Sequence, residues 1–355
     1  MPNRRAFLAG LGAGGLGALA GCSTLNLTRE ETQGSQSGDP PLPDRPNAVY
    51  YPSHVDGMLM SGAQMRDGIG CALTYTRPHR FWLVSGRETT RVPARAAAVI
   101  HVMPVVWHAE TGTVLTDRAP TLHFYDGDTL VTADAPWPML SQRMGFHFGD
   151  NVVLPGDGGS YDVSVRVGAP AVRRTGALAG GPDAVTFDFS LAYSQAELDA
   201  VSRRYRRDAG ERGAVDPMGM EMLPAGGVPA PADLPGRVLG TATTGDAALV
   251  ATVLDDATAY GGDDSQCYLA VSVRTPYNRY PLPMTGLRAE IAGETRDLTE
   301  TLDPDIGHHY GVVLDAAPET VDVTVTAPPQ VSRHEGYETA FLDMPAVTID
   351  ASTGE

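Results

Sequence analysis

A short motif occurs twice in this chain, and it limits the possible folds more than any other feature. The first copy is Gly145-Phe146-His147-Phe148-Gly149 and the second is Gly307-His308-His309-Tyr310-Gly311. Each has glycine two places either side of a histidine and an aromatic just after it. Each runs on into an apolar triplet, Val152-Val153-Leu154 or Val312-Val313-Leu314. An alternating strand follows both, Tyr161 to Val167 and Val321 to Val325. We read this as an internal duplication: two units of the same β type, with a soft-metal site near the repeated histidines.

The rest of the chain supports a β reading. Runs such as Phe81-Trp82-Leu83-Val84, Thr121-Leu122-His123-Phe124-Tyr125 and Val185-Thr186-Phe187-Asp188-Phe189 alternate with Gly, Pro and Asp punctuation. Many short strands with closely spaced turns predict sandwiches of packed antiparallel sheets. The expected fold is all-β, with two immunoglobulin-like β-sandwich domains in tandem at residues 47–193 and 237–355. Residues 194–236 break the rhythm with a short helical stretch and Gly/Pro/Ala-rich chain, and read as a linker. Cys71 and Cys267 each sit in an apolar strand-like run. One disulfide is possible in an exported chain; buried small residues at matching places in the two units is the blander account.

The N-terminus reads as an address. Arg4-Arg5 followed by a short apolar, glycine-rich stretch is a twin-arginine export signal over residues 1–22. Leu19-Ala20-Gly21-Cys22 is the lipobox pattern, with Cys22 the lipidated residue. Residues 23–46 are too polar and Pro-rich to bury a core and read as a flexible tether. The expected location is the outer face of the cytoplasmic membrane, held by a lipid anchor. A formal charge of −17 argues against nucleic acid, which clustered cations recognise. The basic residues are all arginine. That acidic, lysine-free composition suits a halophilic setting, although GC-rich codon usage would remove lysine equally well.

Candidate chemistry concentrates where methionine meets histidine. Thioether selects soft ions and imidazole accommodates copper and iron. Met139 and Met144 lie eight and three residues before His147, close enough for either sulfur to fold back toward the ring. Core packing is the competing account for both, and the stronger one for Met144. His101 and Met103 alternate on a strand and read as core or sheet-face residues; His108 and His123 read as surface strand residues. Met218-Gly219-Met220-Glu221-Met222 resembles Met-rich copper-handling tracts, or is linker clamped by apolar contacts. No nucleophile elbow, P-loop, dinucleotide fingerprint or zinc-protease helix occurs, so an enzyme is not expected.

Pro138-Met139 followed by Gly145-Phe146-His147-Phe148-Gly149-Asp150-Asn151 resembles the hallmark of the periplasmic iron-transport (ferrous iron/copper-binding) protein family. Pro328-Pro329, Arg333-His334-Glu335 and Glu338-Thr339 resemble its later motifs, and Gly57-Met58 its early Gly-Met pair. The family's Asp-Ile-His-Ala strand has no clean match, His79 being the nearest histidine. The resemblance implies an immunoglobulin-like sandwich that binds copper or another divalent ion through Met and His and assists an iron permease. It implies metal-ligating roles for Met139, His147, His309, His334, His79 and Met58.

The family resembles a homodimer whose site draws on both subunits. The first unit has Arg173-Arg174 where an Arg-His pair is expected, and the second has Leu302-Asp303-Pro304 where Pro-Met is expected. One shared site from Met139, His147 and His334 is therefore expected, in a monomeric pseudo-dimer or a homodimer. The mirrored site, with His309 and an arginine, would be degenerate. The alternative is a structural or adhesive surface lipoprotein that has lost the site.

Overall fold

Alternating Val, Tyr, Thr and Phe build strands along nearly the whole chain. The computed structural model describes residues 40–94, 99–219 and 222–350. The export signal, Cys22, residues 23–39 of the tether and Met220-Glu221 of the Met tract lie outside the described residues. No helix among the described residues is long and apolar enough to cross a membrane.

The first half opens with β1 (His54–Asp56), β2 (Leu59–Arg66), β3 (Ile69–Thr76), β4 (Phe81–Ser85), β5 (Glu88–Val92), β6 (Ile100–His108) and β7 (Pro120–Asp126). It continues with β8 (Thr129–Asp134), β9 (Trp137–Ser141), β10 (Gly145–Val152), β11 (Gly158–Val167), β12 (Arg173–Arg174) and β13 (Val185–Ser194). Helix α1 (Gln195–Ala200), capped by the Ser194 hydroxyl on the Glu197 amide, and β14 (Arg203–Tyr205) close it. The second half has β15 (Arg237–Thr244), β16 (Ala247–Leu254), β17 (Cys267–Arg274), β18 (Gly286–Ile291) and β19 (Glu294–Asp297). Then come β20 (Thr299–Asp303), β21 (Gly307–Leu314), β22 (Thr320–Ala327), β23 (Ser332–Arg333) and β24 (Val347–Asp350).

The fold is all-β, and one strand order occurs twice. β3-β6-β10-β9 in one sheet corresponds to β16-β17-β21-β20 in another. Each faces a four-stranded partner, β13-β11-β7-β8 or β19-β18-β22-β24. Ile69, Leu73, Val102 and Val106 pack with Leu122, Phe124, Val163 and Phe187 in one core. Leu249, Ala251, Leu269 and Val271 pack with Leu287, Val323 and Ile349 in the other.

The halves lend each other strands. β23, from the second half, lies parallel to β9 in the eight-stranded sheet β2-β3-β6-β10-β9-β23-β4-β5. β12, from the first half, lies parallel to β20 in the six-stranded sheet. The cores cross over too: Leu140, Phe146 and Phe148 join the second core, and Leu302 joins the first. Residues 194–236 run back over the first half, where β14 pairs with β1 and the Val215 amide donates to Gln142 Oε1.

One expectation about the repeat changes. Cys71 and Cys267 are both free and buried, but they do not occupy matching places. Cys71 is on β3, whereas Cys267 is on β17, the counterpart of β6. Cys71 lies 76 residues before His147 and Cys267 42 before His309; about half of that inequality comes from the difference of strand, and the β4–β5 hairpin of the first half supplies most of the remainder.

Candidate metal centre

The motif glycines explain themselves first. Gly145 turns the chain between β9 and β10 at a φ of 71°, and Gly307 does the same between β20 and β21 at 77°. Gly149 makes room for the site. A Cβ there would lie 3.0 Å from His101 Nε2 and 3.0 Å from Met139 Sδ.

Alternation then sorts the side chains. On β10, Phe146 and Phe148 point into the second core, so His147 points the other way. Across the hairpin His147 sits opposite Met139, whose neighbour Leu140 takes the core face. On β6, Ile100 and Val102 enter the first core and leave His101 on the opposite face. β23 buries Arg333 and carries His334 just beyond its end. His79 stands two residues before β4. The strand order β6-β10-β9-β23-β4 therefore supplies His101, His147, Met139, His334 and His79 in succession.

This row of donors closes into a ring. His79, at its far end, packs against His101 with ring centroids 3.9 Å apart and the planes tilted by 45°. His79 and His334 lie 4.7 Å apart, and His147 and His334 5.2 Å. The ligand atoms of His79, His101 and His334 fall within 4.8 Å of one another. Met139, His101 and His147 are wholly buried, while His79 and His334 form a partly exposed rim.

Hydrogen bonds fix which ring nitrogen faces the centre. His147 Nδ1 is 3.1 Å from the Gly145 carbonyl, and His101 Nδ1 is 3.0 Å from Asn151 Oδ1. His79 Nδ1 is 3.0 Å from the Arg80 carbonyl. A carbonyl oxygen can only accept, so each Nδ1 carries the proton and each Nε2 keeps its lone pair. Asn151 also donates from Nδ2 to the His79 carbonyl at 2.8 Å, so one amide positions two rings.

Nε2 of His101, His147 and His334 is buried and has no hydrogen-bond partner. Leaving a buried polar atom unsatisfied costs about 1–3 kcal/mol, and the three rings that carry these atoms are neighbours, His334 lying 5.8 Å from His101 and 5.2 Å from His147 between centroids. Burial holds all four imidazoles below their usual range, His147 to about 4. The rings are therefore neutral near pH 7 and can bind a cation. The nearby carboxylates are committed elsewhere. Burial alone would raise Asp56 and Glu335, but Arg203 holds Asp56 low and Arg80 with Ser53 holds Glu335 low.

Of the residues expected to ligate, the structure brings together Met139, His147, His334 and His79. The other two lie elsewhere. His309 has no part in this cluster: its Nε2 is 3.1 Å from the Tyr268 hydroxyl in the second half. Met58 lines a shallow hollow with Glu197, Ala200 and Val201 beside α1, two strands away from β6. His101, read as a core or sheet-face residue, is the donor that sequence reasoning missed. A signal was present in the Ile-His pair at Ile100-His101, the pairing sought when His79 was named the nearest candidate.

The second half shows what the same frame becomes without the donors. Register pairs His309 with Thr301, where His147 pairs with Met139. Arg173 lies opposite Thr301, as Ser332 lies opposite Met139, so Thr175 stands in the place of His334. This moves the expected Arg-His position one residue on, to Arg174-Thr175, and the Pro-Met position back to Thr301. Tyr268 takes the place of His101, and Tyr260 stacks on it with centroids 3.7 Å apart. Asp303 Oδ2 accepts from Thr175 at 2.5 Å and from Tyr260 at 2.9 Å. These atoms satisfy one another, unlike those of the histidine cluster.

The family described as "Domain of unknown function (DUF7350)" matches residues 232–350. No curated protein matches the chain. Among solved structures, a copper-bound variant of FetP from uropathogenic Escherichia coli strain F11 is 18% identical, with a TM-score of 0.31 over 38% of this chain and 97% of that one. Copper-reconstituted P19 from Campylobacter jejuni is 16% identical, with a TM-score of 0.31 over 39% and 96%. FetP as isolated is 16% identical, with a TM-score of 0.30 over 40% and 96%.

Proposed function

We propose that this protein binds one copper or ferrous ion at Met139, His79, His101, His147 and His334, and that it serves metal uptake outside the cytoplasmic membrane. The three orphaned imidazole nitrogens on neighbouring rings carry this reading, because only a cation or a proton donor would satisfy them. Neutral imidazoles beside a thioether favour copper over harder ions. We read the role as binding and hand-over rather than catalysis.

The remaining parts of the proposal rest on sequence. The twin-arginine start and Cys22 would export the chain and anchor it by lipid, and an iron permease would be the membrane partner. The repeated strand order supports an ancestral duplication, a single chain doing what a dimer of identical subunits would do. The lysine-free acidic surface suits a salt-rich setting.

The test is metal retention. The purified chain is loaded separately with Cu(I), Cu(II) and Fe(II), dialysed and assayed for bound ion. One ion per chain is expected, and His101→Ala or His147→Ala should abolish it. No retained ion in the parent protein would leave the structural-lipoprotein alternative standing.

A further inference from the structure

The metal-binding reading has a consequence for how an ion leaves. Three of the five donors are wholly buried, and only His79 and His334 reach the surface. An ion must therefore pass these two rings. The residue after His79 is Arg80, and the residue after His334 is Glu335. Arg80 Nη2 donates to Glu335 Oε1 at 2.8 Å, and the two side chains are 10% and 9% exposed.

We infer that the Arg80–Glu335 ion pair is a clasp that holds the two rim imidazoles over the site and sets the rate at which a bound ion escapes. The pair joins positions 255 apart in sequence, one from each half, and these are the two chain segments that must part for the rim to open. Glu335 has further anchors. It accepts from the Ser53 amide at 3.1 Å, the Ser53 hydroxyl at 2.5 Å and the Leu42 amide at 3.5 Å. The clasp is thus tied to the arm at residues 42–53 as well as to the rim. On its other side His79 is pinned by Asn151, which takes its amide and its carbonyl. The segment that the clasp can release is therefore short. Arg80 and Glu335 act through the neighbouring rings, so they are positioning residues.

The clasp predicts a kinetic signature. The full chain is loaded with one equivalent of Cu(I), and transfer to excess bathocuproine disulfonate is followed by stopped flow. Glu335→Gln and Arg80→Gln should each speed transfer about tenfold or more, the scale of effect seen when groups behind metal ligands are removed. The double variant should be no faster than the faster single one, because both remove the same contact. Arg174→Gln is the control. It breaks a still more deeply buried pair, with Asp117 at 2.5 Å, lying wholly within the first half, and should lower the melting temperature without changing transfer. If Glu335→Gln does not fold, Arg80→Lys keeps the charge but loses the planar fork and should give an intermediate rate. Unchanged rates, or additive effects in the double variant, would overturn the clasp. A parent protein that takes up no copper would overturn the metal-binding reading itself, and the clasp with it.

Discussion

Asn151 shows how much of the site depends on residues that would never touch an ion. Its amide holds the His101 ring in the tautomer that frees Nε2 and fixes the backbone of His79. Asn151→Ala should therefore weaken copper binding about ten- to a hundredfold while every ligand remains, as measured by competition with a chelator. An affinity within twofold of the parent would contradict that role. His309 makes a separate, titratable contribution. Burial lowers it to about 4, whereas an unfolded imidazole titrates near 6.5. Its native stability is complete above pH 6.5 and is lost as the pH falls toward 4, because over that span only the unfolded chain takes the proton. The loss is on the order of 3 kcal/mol. Denaturant unfolding of the apo protein at pH 7 and pH 4.5 should show His309→Leu narrowing the gap between the two; an unchanged gap would contradict it. At this scale the sequence was readable only in part. Met139 and His147 could be found because eight residues with a central turn make cross-strand partners. His101 was passed over, because alternation separates two faces of a strand without showing what covers each. His309 misled because a motif can repeat while its partners do not.

The β9–β10 hairpin is the element that makes a site possible. Its phenylalanines lock into the other half's core, which forces His147 and Gly149 toward the donors. Gly149→Ala would place a methyl 3.0 Å from both His101 Nε2 and Met139 Sδ, tighter than such contacts ordinarily run. Its backbone is otherwise ordinary strand, so the chain should fold, keep its circular dichroism spectrum and lose at least tenfold in copper affinity. Undiminished binding would show that the space beside Gly149 is not where the ion sits. The strands and most of their alternation were legible because burial on one face leaves a period of two. The two-residue strands β12 and β23 were not. They are too short to show a pattern, and their places are set by the other half's sheet.

At the scale of the whole molecule, the same frame is built twice and furnished once. Residues from both halves complete the histidine cluster, and sequence alone could suggest this only through the contrast between His334 and its missing counterpart. The second frame is occupied by Tyr260, Tyr268, Thr175 and Asp303, which bond to one another and to His309. The chain should therefore bind one equivalent of metal, and His309→Ala should leave that number unchanged in a mass-spectrometric metal assay; two equivalents would contradict the asymmetry. The central claim is that Met139 and the clustered histidines hold a single ion. X-ray absorption at the copper edge, on the full chain loaded with one equivalent, tests it most directly. The account predicts imidazole scattering plus one sulfur neighbour that disappears in Met139→Leu. A first shell of oxygen and nitrogen alone, identical in parent and variant, would contradict it.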